Sequence, residues 1–278
     1  TPKPTAKADG MTVPATGYTA TYASNTNAGP ATITVKGKGN YTGTATINFT
    51  INPAPITSIA AIKSQAYTGA AVKPAVTVKS GSMTVPTSDY DATYTGNVKA
   101  TSKATVTVTG KGNFTGTVSK TFKIVAPTVS YHVHCQTIGW QGWKKNGKMA
   151  GTSGQAKRLE AIEIKLGNSF PVSGGIKYRT HVQTYGWQAW KSNGSMAGTS
   201  GEAKRLEAIQ IKLTGQMAKK YDVYYRVHAQ RFGWMGWAKN GKSAGTAGYA
   251  YRLEAIQIKL VPKGGAAPGS TANAFRKK

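Results

Sequence analysis

The chain has 278 residues and a formal net charge of +27, with only nine acidic side chains. That excess predicts attraction to polyanions such as acidic wall polymers, anionic membrane surfaces or nucleic acid, but the Lys and Arg are scattered along strands rather than packed in runs, which argues against specific nucleic-acid binding. One cysteine excludes an internal disulfide, and no run of 18 apolar residues is present, so no membrane insertion is expected.

The first element is a repeat in the amino-terminal half. MTVPATGYTATY (Met11–Tyr22) returns as MTVPTSDYDATY (Met83–Tyr94), and GKGNYTGTATINFTI (Gly37–Ile51) returns as GKGNFTGTVSKTFKI (Gly110–Ile124). Thr and Val alternate along ATITVKG, ATINFTI, ATVTVTG and VSKTFKI, the pattern of half-buried strands. Gly-Lys-Gly-Asn supplies turn residues that tolerate positive φ. Short strands with turns at this spacing predict a β-sandwich. The second copy carries a long leader, PITSIAAIKSQAYTGAAVKPAVTVKSG, whereas the first has ten residues, TPKPTAKADG. The first copy (1–52) is therefore expected to be truncated at its amino terminus, with Thr1 a boundary in a longer parent, and the second (53–125) to be complete. Asp89 and Asp91 are read as turn-flanking, not as metal ligands. These motifs resemble the bacterial Ig-like repeats strung along Gram-positive surface proteins. The resemblance implies an Ig-like stalk or spacer.

A second, stronger repeat follows. GWQGWKKNGKMAGTSGQAKRLEAIEIKL begins at Gly139, and its variants begin at Gly186 and Gly233, 47 residues apart each time. Each unit opens on a strand: YHVHCQT, YRTHVQT or YRVHAQR. A second strand follows with two Trp three residues apart, then an Asn-Gly turn at Asn146, Asn193 or Asn240, the strongest short-range hairpin signal. A Gly-Thr-x-Gly loop follows, and RLEAIxIKL closes the unit with one apolar face at period two. One unit cannot bury that face alone, whereas three sharing an axis can. The expectation is an all-β chain in which 129–261 form one pseudo-threefold β domain, a β-prism or β-trefoil built from 131–166, 178–213 and 225–260, with no free sheet edges. A linear row of three is the alternative. The tail 262–278 loses all periodicity and is expected to be disordered. These units resemble the clostridial hydrophobic repeats with tandem tryptophans, known as ChW repeats, which implies a cell-wall-binding or adhesion module rather than a catalyst.

Internal recurrence shows what each position tolerates. Cys135 aligns with Val182 and Ala229, so it fills space. His134, His181 and His228 share a face with Gln136, Gln183 and Gln230. The histidines are either structural or, with the glutamines, donors to a ligand. A three-histidine metal site would need all three rings to converge, and no metal or cofactor is expected. Glu160, Glu207 and Glu254 lean inward and need partners, supplied by Arg158, Arg205 and Arg252 two residues earlier. Three identical carboxylate settings do not suit a glycosidase, which needs two unlike ones. On a strand, a spacing of three puts the two Trp on opposite faces. Trp140, Trp187 and Trp234 are assigned to the core and Trp143, Trp190 and Trp237 to the ligand.

The sequence thus reads as a monomeric, non-catalytic region of a secreted or surface protein of a Gram-positive bacterium, any enzyme lying upstream. An Ig-like spacer would project a trivalent module for a cell-wall polymer or glycan of anionic character. The rival reading is an adhesin for a host glycan or protein.

Overall fold

The computed structural model describes all residues, Thr1–Lys278, and the chain is all-β apart from one short α-helix, Gly215–Lys220, and two single 3₁₀ turns. It packs into two compact units. The first comprises Thr1–Lys63, Lys73–Gly96 and Lys103–Phe122, and the second Ser64–Val72, Asn97–Ser102 and Lys123–Lys278. This differs from a clean boundary after 125, because two short stretches of the amino-terminal half pack with the carboxy-terminal unit.

In the first unit, each sequence repeat forms an antiparallel three-stranded core. Tyr18–Ala23, Gly29–Gly37 and Thr44–Ile51 pair in order, and Tyr90–Thr95 pairs with Thr101–Gly110 in the matching register. Tyr22 and Tyr94 hold equivalent leading segments by donating to the carbonyls of Pro2 (2.8 Å) and Pro74 (2.6 Å). The second copy has another layer, Ser58–Ile59, Val78–Ser80 and Met83–Thr84. Ile59, Val78 and Val85 from that side bury with Val106, Val108 and Phe114. The first copy has at this place only the pair Lys7–Ala8 with Met11–Thr12.

The second unit is built from three long hairpins. Val129–Cys135 pairs with Leu159–Leu166, Gly175–Val182 with Leu206–Thr214, and Tyr221–Ala229 with Leu253–Pro262. Alternation sends Tyr131, Val133 and Cys135 inward with Ile162 and Ile164, and the matching residues of the other repeats complete one core. The Asn-Gly turns have positive φ at both residues (44° and 86° at Asn146-Gly147). That is the conformation whose twist matches a hairpin. The Asn side chain also accepts the N–H that opens the strand, as Asn146 does from Val129 at 3.0 Å.

The repeats close into a ring. Ala150–Gly151 of the first repeat pairs with Leu253–Pro262 of the third, Ala197–Gly198 of the second with Leu159–Leu166 of the first, and Ala244–Ala247 of the third with Leu206–Thr214 of the second. Each short strand thus completes the sheet of another repeat, and no linear row can satisfy all three pairings.

A buried tyrosine lies at each seam. The Tyr131 hydroxyl donates to the Lys148 carbonyl and accepts from the Ile258 N–H (3.1 Å), and the Tyr178 hydroxyl accepts from the Ile164 N–H (3.0 Å). Burial, outweighing these backbone hydrogen bonds, pushes both phenols up to about 12. Folded values above the unfolded value near 10 mean that this stabilisation is whole below pH 10 and is lost as pH rises towards 12. A two-unit shift corresponds to about 2–3 kcal/mol per tyrosine. The thermal midpoint should therefore stay level up to about pH 10 and fall steeply above it. Tyr178→Phe should lower the midpoint at neutral pH and flatten the alkaline fall. An alkaline limb equally steep in that variant would show that the seam phenols do not govern it.

The tail is not disordered. Phe275–Lys277 forms a parallel strand on Gly245–Ala247, and Trp237 N–H and Gly245 N–H donate to the carbonyls of Ser270 and Ala274, both at 2.9 Å. The lost periodicity of 262–278 reflects a segment that pairs through its backbone and adds only scattered side-chain contacts, such as Ala274 on the core and Arg276 on Phe232, which leaves no repeating pattern to read.

Candidate functional site

The tryptophans lie on the outward faces of the three sheets. Gly139, with φ of 79°, turns the chain back after Cys135, so Trp140 pairs with His134. Four residues on, Lys144 pairs not with position 130 but with Tyr131. One extra residue has been inserted, a β-bulge, which resets the alternation. Trp140 and Trp143 therefore share one face, and the expectation of opposite faces is corrected.

Between the two indoles lies a residue that sequence reasoning passed over. His132 stacks on Trp140 and Trp143 with ring centroids 4.5 and 3.9 Å away. In the second repeat the Arg179 guanidinium sits 5.1 Å from Trp187 and 4.9 Å from Trp190, and in the third Arg226 sits 4.8 Å from Trp234 and 5.0 Å from Trp237. The far side of the second ring carries a lysine: Lys165 lies 4.0 Å from Trp143 and Lys212 lies 4.2 Å from Trp190. The far side of the first ring meets a histidine edge, with centroids 5.5–5.6 Å apart for His134, His181 and His228. The second and third repeats thus carry a ladder of alternating rings and cations, held by cation–π attraction of about 0.5–2 kcal/mol per contact, and in the first the His132 ring stands where they have arginine. The legible signal was the residue after Tyr in YHVH, YRTH and YRVH: His, Arg and Arg, always outward by alternation.

The assigned roles change accordingly. Trp140, Trp187 and Trp234 are not core: Trp140 is 38% exposed, as is Trp143, and Trp187 and Trp234 are half-buried. Trp190 is also half-buried, whereas Trp237 is only 6% exposed because the carboxy-terminal segment covers it. In the first two repeats both faces of each indole already carry a ring or a cation. A ligand approaching them meets Lys, His and Arg groups before bare ring.

The carboxylates lie beneath. In the pairing of Val129–Cys135 with Leu159–Leu166, Glu160 is the residue skipped between Ala161 and Leu159. It is 5% exposed, accepts Arg158 Nε at 2.8 Å and lies 3.0 Å from the buried Nδ1 of His134. Glu207 and Glu254 repeat this with Arg205 and His181, and with Arg252 and His228. The histidines are thus directed to glutamates on separate sheets, and no group of three His, Cys, Asp or Glu able to hold a metal comes together. Gln136, Gln183 and Gln230 end the strands, each giving its backbone N–H to the carbonyl of Arg158, Arg205 or Arg252 at 3.0 Å. They stand outside the ladder. Cys135 is fully buried, and burial, with a smaller push from the Glu160 charge, takes its thiol up to about 11, far from reactivity. In the first unit, Asp91 forms an exposed pair with Lys111 at 2.7 Å.

Charge compensation at the ladder differs among repeats. His132 faces Glu163 at 2.9 Å. Arg179 and Arg226 instead give Nε to the neutral Gln210 and Gln257 at 2.8 and 2.7 Å, so their charge is left for something else. Asp222, fully buried, sits apart from the ladder. Burial would raise its carboxyl, but hydrogen bonds from Lys263, Asn240, Lys239 and the Gly264 N–H prevail and hold it far below the usual carboxylate range.

No curated protein and no solved structure matches this chain. Residues 134–168, 181–215 and 228–262 match the family described as Clostridial hydrophobic W, and the chain therefore carries three ChW repeats in tandem.

Proposed function

We propose that the repeat-bearing unit is a non-catalytic module that binds a repetitive, anionic polymer or glycan of the bacterial cell wall, and that the amino-terminal β unit serves as its Ig-like spacer on a secreted or surface protein of a Gram-positive bacterium. The observation that carries the reading is the ladder. It recurs on three outward faces, and its accessible members are cations whose carboxylate partners are few: residues 126–278 hold 24 Lys and Arg against six Asp and Glu. Cations fixed over indoles lose little freedom when they meet an anion, and three like faces favour a polymer that presents the same group many times. The closed ring, one sheet per repeat, reads as prism-like rather than trefoil-like. The Arg–Glu–His cluster that recurs in all three repeats is spent on internal pairing, which speaks for a scaffold and not a catalyst.

The test is retention of the full chain on purified wall sacculi, with and without their anionic polymers, over a range of salt. Binding should fall steeply with ionic strength, since exposed charges are screened beyond about 10 Å at 0.1 M. Retention that is flat in salt, or unchanged after the anionic polymers are stripped, rejects the anionic reading.

A further inference from the structure

The third repeat is altered in a way that fits the tail and nothing else. Gly236 lies so close to the carboxy-terminal segment that a Cβ there would be 2.0 Å from the Ala272 carbonyl oxygen. The second repeat has Ala189 at this position and the first has Gly142, where a Cβ would meet nothing within 4 Å, so only in the third repeat does the tail require glycine. In the first two repeats Gln141 and Gln188 accept the N–H of Gly151 and Gly198 at 2.7 and 3.0 Å. The third repeat has Met235 instead, and the equivalent Gly245 N–H goes to Ala274. The tail thus replaces a side-chain cap and runs beside the ladder.

Its course encloses a cavity of about 330 Å³, walled by Arg226, Phe232 and Trp234 on the repeat and by Ser270, Asn273 and Arg276 on the tail. No carboxylate lines it. Arg226 enters with its Nε committed to Gln257 and its charge unmatched. Arg276 lies 5.0 Å from the Phe232 ring and forms no ion pair. Two guanidinium groups, each braced on aromatic rings, beside a hydroxyl and an amide are the donor set that recognises a compact oxyanion by paired hydrogen bonds. In the first repeat the same ladder position is His132, already paired with Glu163 at 2.9 Å.

We propose that this cavity binds one phosphate or carboxylate group of the polymer, and that the carboxy-terminal segment builds the site on the third repeat alone. The inference rests on the wall-binding reading and names the chemistry of one of its subsites. A polymer phosphodiester and a uronic acid would both supply the anion.

The experiment titrates the full chain with glycerol 3-phosphate and, separately, with glucuronate, following tryptophan fluorescence, since Trp234 forms a wall. Saturable change is expected with at least one probe, and the tighter of the two identifies the phosphate or uronate source. Arg276→Gln should weaken that response tenfold or more with an unchanged thermal midpoint. Gly236→Ala, which displaces the tail, should abolish it. No saturation with either probe, or equal affinity in the wild type and Arg276→Gln, overturns the site. Sacculus retention of the same variants reads the broader proposal separately: a chain that holds walls yet ignores both probes keeps the module and loses this pocket.

Discussion

Replacing Gly198 by alanine is expected to destabilise the ring by about 3–5 kcal/mol, the sum of left-handed backbone strain and forced overpacking. Gly198 has φ of 107°, and a Cβ there would stand 2.3 Å from the Glu160 carbonyl oxygen and 2.8 Å from the Ala161 Cα. Both are backbone atoms of a paired strand in another repeat, so no side-chain rotation relieves the contact. Gly151 and Gly245 meet Glu254 and Glu207 carbonyls at 2.3 and 2.4 Å in the same way. Gly201 is the control: its φ is 79° with nothing within 4 Å of a Cβ, so alanine there should cost about 1 kcal/mol. Urea unfolding of the two variants separates clash from strain. If Gly198→Ala melts like Gly201→Ala, the seam is looser than the pairing implies.

Glu207→Ala is the other large effect, about 3–5 kcal/mol by the usual consequence of breaking a buried ion pair from one side. Glu207 accepts Arg205 Nε at 2.9 Å and Nη2 at 2.8 Å and lies 3.2 Å from His181 Nδ1, while itself only 6% exposed. Alanine leaves a guanidinium and an imidazole facing a dry gap. Glu207→Gln keeps volume and one acceptor and should lose clearly less. The equivalent changes at Glu160 and Glu254 should match Glu207→Ala within about 1 kcal/mol, because the three settings are alike. A loss below about 1 kcal/mol at all three would mean that the cluster is not a stability element.

The ring and its inward faces were legible because alternation and exact recurrence report burial directly: Tyr131, Ile162 and Ile164 point inward as their spacing requires. The outward site was half legible. The tryptophans were found but placed by a rule of two-residue periodicity that one inserted residue breaks, and a bulge leaves no mark in a single sequence beyond an odd spacing. The cations between the rings were visible as YH, YR and YR, yet their meaning depends on strands meeting side by side. The tail escaped because its strand pairs through backbone groups of Gly245 and Trp237, and only Met235, where the other two repeats have Gln141 and Gln188, hints that the third repeat differs.

The closing contact of the ring joins Ala150 to Ile256, and Tyr131 to Ile258. A ribosome making this chain must finish the last long strand before the first repeat can be sealed. Until then the apolar strand faces of the first two repeats have no complete partner. Contacts of such sequence separation slow folding, so the nascent domain stays incompletely folded for the greater part of its synthesis. The same dependence makes the ring its own checkpoint: a copy that ends early or is clipped before Leu253 never hides its core, and any protease or chaperone nearby will find it.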